Sequence, residues 1–225
     1  MPDPISWEFA WPFLLGALVG GYLLGSIPFG LALTRIAGYG DVRKIGSGNI
    51  GATNVLRTGN KLLALATLLL DGGKGAVAVL IAQIYGSDPA LMAAAGALLG
   101  HLFPVWLRFR GGKGMATALG ILLAISPLVG ALCCLTWLLV ALVFRYSSLA
   151  SLVAIALAPV YAWLVSMRAL YEPLREFGLP HAVLADPQRA QLFVFIAVLV
   201  WIRHYQNIGR LLTGRESKIG EKKAG

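Results

Sequence analysis

Apolar stretches long enough to cross roughly 30 Å of hydrocarbon recur along this chain, and no polar stretch between them is large enough to build a separate soluble domain. The expected architecture is therefore an all-α integral membrane protein, with residues 1–225 forming a single membrane domain. Composition agrees: of 225 residues 58% are apolar and 13% charged, and the mean hydropathy is +0.76, outside the balance of soluble proteins. The start, Met1 to Trp7, has neither a basic stretch nor a small-residue cleavage site, so the first apolar segment is expected to stay as a helix.

The first span is expected from about Phe9 to Ala37, with Gly16, Gly20, Gly21, Gly25, Ser26 and Gly30 at helix-face spacing for close packing. Later spans are read at Leu62–Tyr85, interrupted by Asp71-Gly-Gly-Lys-Gly75, and at Ala90–Leu107, Leu149–Val165 and Gln191–Ile202. The run from Met115 to Phe144 is divided by Ser126-Pro127 and counts as one crossing or two.

Orientation follows from charge, because Lys and Arg concentrate in cytoplasmic loops. Nineteen basic residues face ten acidic ones, a formal charge of +9, and topology accounts for much of it without a nucleic-acid partner. The loops at about 38–61 and 108–114 and the tail at 203–225 are basic, which places all three in the cytoplasm. Two short crossings hinged at Pro127 satisfy this, giving about seven transmembrane helices, the N-terminus outside and the C-terminus cytoplasmic. Met115–Ser126 is short for a crossing and fits a re-entrant or tilted half-helix as well. Cys133 and Cys134, adjacent in an apolar run, read as spacers rather than a disulfide framework or metal site.

Three polar segments carry candidate chemistry. The first, Asp41 to Arg57, is rich in glycine and small polar residues. Its Gly46, Gly48 and Gly51 let backbone N–H groups converge on an anion, while Ser47, Asn49, Thr53 and Asn54 add donors. Arg57 offers a bidentate contact to phosphate. A flexible loop beside anionic headgroups is the competing reading.

Gly-Gly-Lys-Gly occurs at residues 72–75 and again at 111–114. Glycine beside lysine at a helix start suits phosphate. Neither copy has the upstream glycine or the following Ser or Thr of a nucleotide-binding P-loop. Asp71, one turn from Lys74, is expected to neutralise it, so Gly111, Gly112, Lys113 and Gly114 rank higher.

The third segment runs from Arg203 to Glu216. His204 and Asn207 are three apart and share a helix face, suiting proton transfer or phosphate binding, with Arg203 alongside. His181 and Asp186 fit a His-x4-Asp acyltransferase pattern, but the topology puts them on the outer face. His101 reads as a packing or hydrogen-bonding residue.

Taken together, Gly25-Ser-Ile-Pro-Phe-Gly30, Gly46 to Arg57, Gly111-Gly-Lys-Gly-Met-Ala-Thr117 and Arg203 to Leu212 resemble the bacterial acyl-phosphate:glycerol-3-phosphate acyltransferase family, PlsY. The resemblance covers nearly the whole chain in four ordered motifs. It implies a seven-helix enzyme of the bacterial inner membrane, embedded among membrane lipids, with its active site facing the cytoplasm. It implies acyl phosphate and glycerol 3-phosphate as substrates, lysophosphatidic acid and phosphate as products, and no metal or organic cofactor. By motif it points to Ser47, Arg57, Lys113, His204 and Asn207 as catalytic. The oligomeric state stays open, a monomer being sufficient. The contrasting possibility is a small membrane transporter or binder of phosphate-containing solutes.

Overall fold

A computed structural model describes residues 7–167, Glu172 and residues 187–220. Every regular element among them is helical, and they fall into two compact units divided after Ala124. Five helical stretches are long and apolar enough to cross a membrane, and a sixth joins them if a pair bent by 63° near the C-terminus is one span.

In the first unit α1 (Trp7–Gly25) is followed by α2 (Phe29–Ile36), α3 (Ala52–Val55), α4 (Lys61–Gln83), α5 (Ser87–Leu102) and α6 (Met115–Ile125). The first span, expected from about Phe9 to Ala37, is present at Phe9–Ile36, and within it the helix is interrupted at Ser26–Pro28. Pro28 supplies no N–H and its ring crowds the preceding turn, so carbonyls at the end of α1 lose their helical partners. The break is held from outside. Lys74, buried in the middle of α4, donates to the Ile27 carbonyl at 2.8 Å and to Asp71 Oδ1 at 2.8 Å. Its ammonium also lies 5.7 Å from the centre of the Phe29 ring. Trp106 Nε1 adds a hydrogen bond to Ser26 Oγ at 2.7 Å.

Glycines set the packing. A Cβ on Gly21 or Gly25 would run into the Ala93 or Ala97 carbonyl, and one on Gly96 or Gly100 into the Leu18 or Tyr22 carbonyl. These pairs advance together along both sequences, so α1 and α5 run parallel with backbones in contact, the close approach that small residues four apart permit in lipid. Gly72 and Gly75, read from the sequence as an interruption, do not interrupt: α4 is continuous through them. They face α6, where Gly120 approaches the Gly72 carbonyl and Thr117 approaches Gly75. The lysine at 74 therefore sits mid-helix and not at a helix start. At 11 residues, α6 is only about 16 Å long.

The second unit contains α7 (Pro127–Phe144), α8 (Ser147–Ser166), α9 (Pro187–Arg203) and α10 (Tyr205–Leu212). Ser126-Pro127 does end one helix and start the next, with Pro127 in the first turn of α7 where its missing N–H costs nothing. Thr136 and Tyr161 hydroxyls lie 2.7 Å apart and Trp137 Nε1 donates to Ser151 Oγ, tying α7 to α8. The C-terminal tail folds back on the α7–α8 corner. The Ile219 N–H donates to the Arg145 carbonyl at 2.6 Å, and the Arg145 guanidinium returns a bond to the Ile219 carbonyl. Leucines and valines such as Leu62, Leu69, Leu142 and Val143 remain exposed along the helices, as a lipid-facing surface requires.

Candidate active site

The loop before α4 is built around one side chain. Asn54, 2% exposed, donates from its amide nitrogen to the carbonyls of Val42, Ile45 and Asn49. Its oxygen accepts from the Ser47 N–H at 3.0 Å and the Ser47 hydroxyl at 3.2 Å. The sequence suggested Asn54 as a donor to an anion; in the structure its amide is committed inside the loop, as organiser. Asn49 likewise accepts from the Gly51 N–H. Val42, Ile50 and Val55 seat the loop in an apolar cluster with Leu31 and Ala64.

Gly46 and Gly48 have φ of +55° and +69°, which favour glycine. A Cβ on Gly46 would also strike the Arg57 guanidinium and the Asn54 amide. Arg57 thus lies across Gly46, one residue from Ser47, and Ser47, Thr53 and Arg57 are all exposed to solvent. The neighbouring cations are differently occupied. Asp41 accepts from the Arg43 guanidinium at 2.6 Å and from Arg35 at 3.3 Å. The Arg43 hydrogen bond holds the Asp41 carboxyl well below the usual carboxylate range, and Arg43 is raised in turn.

The loop before α6 lies against the end of α5. Gly111 N–H donates to the Leu102 carbonyl at 3.2 Å and Gly112 N–H to the His101 carbonyl at 3.0 Å. Two donors expected for a phosphate are therefore capping α5, and the loop presents the half-buried Lys113 and the start of α6. Gly114 makes the turn with φ +88°.

In the second unit the helix bends at His204, which is 3% exposed and caps α10. Its Nδ1 lies 2.8 Å from the Val200 carbonyl. A carbonyl only accepts, so Nδ1 carries the proton and Nε2 is the basic nitrogen of the neutral ring. Asn207, 4% exposed, donates to Glu216 Oε1 at 2.6 Å. A carboxylate only accepts, which fixes the amide orientation and turns Oδ1 the other way. Among the described residues that buried oxygen accepts no hydrogen bond. Glu216 also accepts from Ser148 at 2.7 Å and Arg210 at 2.6 Å. Burial pushes its carboxyl up, but the bonds from Ser148, Asn207 and Arg210 outweigh this and hold it below the ordinary glutamate value. Arg203 is half-buried beside His204. His181 and Asp186 lie outside the described residues. The sequence alone assigns Glu216 no role; its signal is an acid among the basic residues of the tail, nine positions after Asn207.

Comparisons with known proteins agree with these motifs. The glycerol-3-phosphate acyltransferase family matches residues 15–214. A glycerol-3-phosphate acyltransferase of Rhodospirillum rubrum is 56% identical, covering 91% of this chain and 90% of that protein. One from Sinorhizobium medicae is 52% identical over 98% and 99%. The crystal structure of PlsY, an integral membrane glycerol 3-phosphate acyltransferase, in its glycerol 3-phosphate form superposes with a TM-score of 0.76 at 38% identity, over 92% of this chain and 96% of that one. Its lysophosphatidic acid form gives 0.74 at the same identity. Matched along almost its whole length in sequence and in helical architecture, the chain belongs to the glycerol-3-phosphate acyltransferase family.

Proposed function

We propose that this glycerol-3-phosphate acyltransferase of phospholipid synthesis takes its acyl group from an acyl phosphate and that Ser47, Arg57, Lys113, His204 and Asn207 carry the reaction. The glycerol hydroxyl oxygen attacks the acyl carbon, the bond from that carbon to the phosphate oxygen breaks, and inorganic phosphate leaves with the electron pair. An acyl phosphate already holds a good leaving group, so positioning and charge neutralisation supply the acceleration without a covalent enzyme intermediate.

The observation that carries this reading is Asn207, whose amide is anchored on Glu216 with a buried oxygen that accepts nothing among the described residues. That oxygen suits a hydroxyl donor, the glycerol end of glycerol 3-phosphate. Arg57 and Lys113 neutralise phosphates, the Ser47 hydroxyl holds an oxyanion by turning from Asn54 to the substrate, and Gly46, Gly48, Asn49, Gly51, Thr53 and Asn54 keep that loop in shape. Gly111, Gly112 and Gly114 shape the Lys113 loop, and Arg203 adds charge beside His204. The hydroxyl proton passes to His204 Nε2 or to a phosphate oxygen of the donor.

The same proposal makes residues 1–225 one membrane domain of the bacterial inner membrane with seven crossings, a cytoplasmic C-terminus and a cytoplasmic active site. The parallel run of α1 and α5, with α4 between them in sequence, fits the first three crossings. Family membership weighs against the transporter alternative. Purified protein supplied with acyl phosphate and glycerol 3-phosphate should form lysophosphatidic acid and release phosphate, and Arg57→Ala and Lys113→Ala should each lose about 10²-fold or more in kcat/KM. Variants that keep full activity would remove those residues from the mechanism.

A further inference from the structure

Deep in the first unit a buried ionic cluster lies behind the Lys113 loop. Asp71 is 1% exposed, Lys74 4% and His101 4%. Lys74 is bound to Asp71 and to the broken α1 end, and His101 Nδ1 lies 3.7 Å from Asp71 Oδ1, an ion-pair distance rather than a hydrogen bond. The chemistry above uses none of these three. Keeping charged and polar groups inside a membrane protein is costly, so their arrangement calls for a role.

That role is visible on the other side of the imidazole. A Cβ on Gly112 would strike His101 at Nε2, its three nearest atoms being that nitrogen and the two ring carbons beside it. Gly112 therefore packs directly against the Nε2 end of the imidazole. The loop is fixed on both flanks: Gly111 and Gly112 donate to the Leu102 and His101 carbonyls, and Thr117 Oγ1, in the first turn of α6, donates to the Asp71 carbonyl at 2.8 Å. Lys113 sits between these anchors.

We propose that His101 is a positioning residue for Lys113: its ring is the floor under Gly112, and the Asp71–Lys74 pair sets the orientation of that floor. The inference rests on the assignment of the Lys113 loop to a substrate phosphate. A ring held by a buried carboxylate resists rotation in a way that an apolar side chain of similar size does not. A displaced loop moves the Lys113 ammonium away from its phosphate, and displacements of about 1 Å cost up to about 10²-fold.

Steady-state kinetics of purified His101→Ala, Gly112→Ala, Gly111→Ala, Lys113→Ala and the pairs Gly112→Ala/His101→Ala and Gly111→Ala/His101→Ala test this. His101→Ala should raise KM for one of the two phosphate-bearing substrates by roughly tenfold, with kcat within about threefold. A merely structural role lowers the active fraction and leaves KM alone. Gly112→Ala should lose at least about tenfold in kcat/KM, and adding His101→Ala should restore it to the level of His101→Ala alone. Gly111→Ala should gain nothing from the second change, because its Cβ meets the His101 and Leu102 carbonyls and Pro104, not the ring. If His101→Ala does not fold, His101→Gln provides the KM reading. Unchanged KM values in the His101 variants, or a Gly112→Ala defect that removing the ring leaves in place, overturns the inference. Wild-type kinetics in Lys113→Ala instead overturns the assignment of the loop to phosphate.

Discussion

Asn207 hangs from Glu216: its side-chain amide donates to Glu216 Oε1 at 2.6 Å, and the same carboxylate takes Ser148 and Arg210, tying α8, α10 and the tail together. The carboxyl is held below the ordinary glutamate value of 4.5. A depressed value means the stabilisation is present above the unfolded-state value and lost as pH falls through the folded one. The unfolding temperature should therefore drop as pH is lowered below about 4.5. Glu216→Gln should lack that slope and be roughly 1–2 kcal/mol less stable at neutral pH. Equal pH slopes in the two proteins would deny Glu216 this role.

Lys74 neutralises Asp71 and closes the broken end of α1 at once. Lys74→Ala leaves a buried carboxylate without its cation and the Ile27 carbonyl with only the Phe29 N–H, and should cost roughly 3–5 kcal/mol. Replacing both partners, Lys74→Met with Asp71→Leu, should cost less than the single change. Thermal unfolding in detergent reads both; a stable Lys74→Ala protein contradicts the account of the break.

At the α1–α5 contact Gly25 has no room for a side chain, since a Cβ would overlap the Ala97 backbone. Gly25→Val should force the helices apart and destabilise the protein by more than about 3 kcal/mol. Gly16→Ala, where nothing lies within 4 Å, should not lower the unfolding temperature.

Asn54 must both donate and accept, which aspartate cannot do. Asn54→Asp should lower kcat/KM by at least about tenfold while the helical content stays intact, because the loop that presents Ser47 and Arg57 loses its bonds to Val42, Ile45 and Asn49. Circular dichroism beside the activity assay separates this from unfolding.

What the sequence discloses and what it hides divide along the range of the interaction. The long apolar runs, the division at Ser126-Pro127 and the Asp71–Lys74 pair are all readable, because length, a proline and a spacing of three are local properties. The break at Pro28 is not, since membrane helices tolerate proline and the group that holds this break comes from Lys74, 47 residues away. Glycines 72 and 75 read as an interruption because their partner, α6, lies over 40 residues downstream. For the candidate site, the sequence offers residue types and not their partners: Asn54 turns inward, Gly111 and Gly112 turn to α5, and Glu216 anchors Asn207.

The most direct test of the central claim is a donor comparison with the purified protein and glycerol 3-phosphate, following lysophosphatidic acid as acyl phosphate, acyl-CoA and acyl carrier protein are supplied in turn. The account predicts product and stoichiometric phosphate release with acyl phosphate alone. Product formed equally well from acyl-CoA or acyl carrier protein would contradict it.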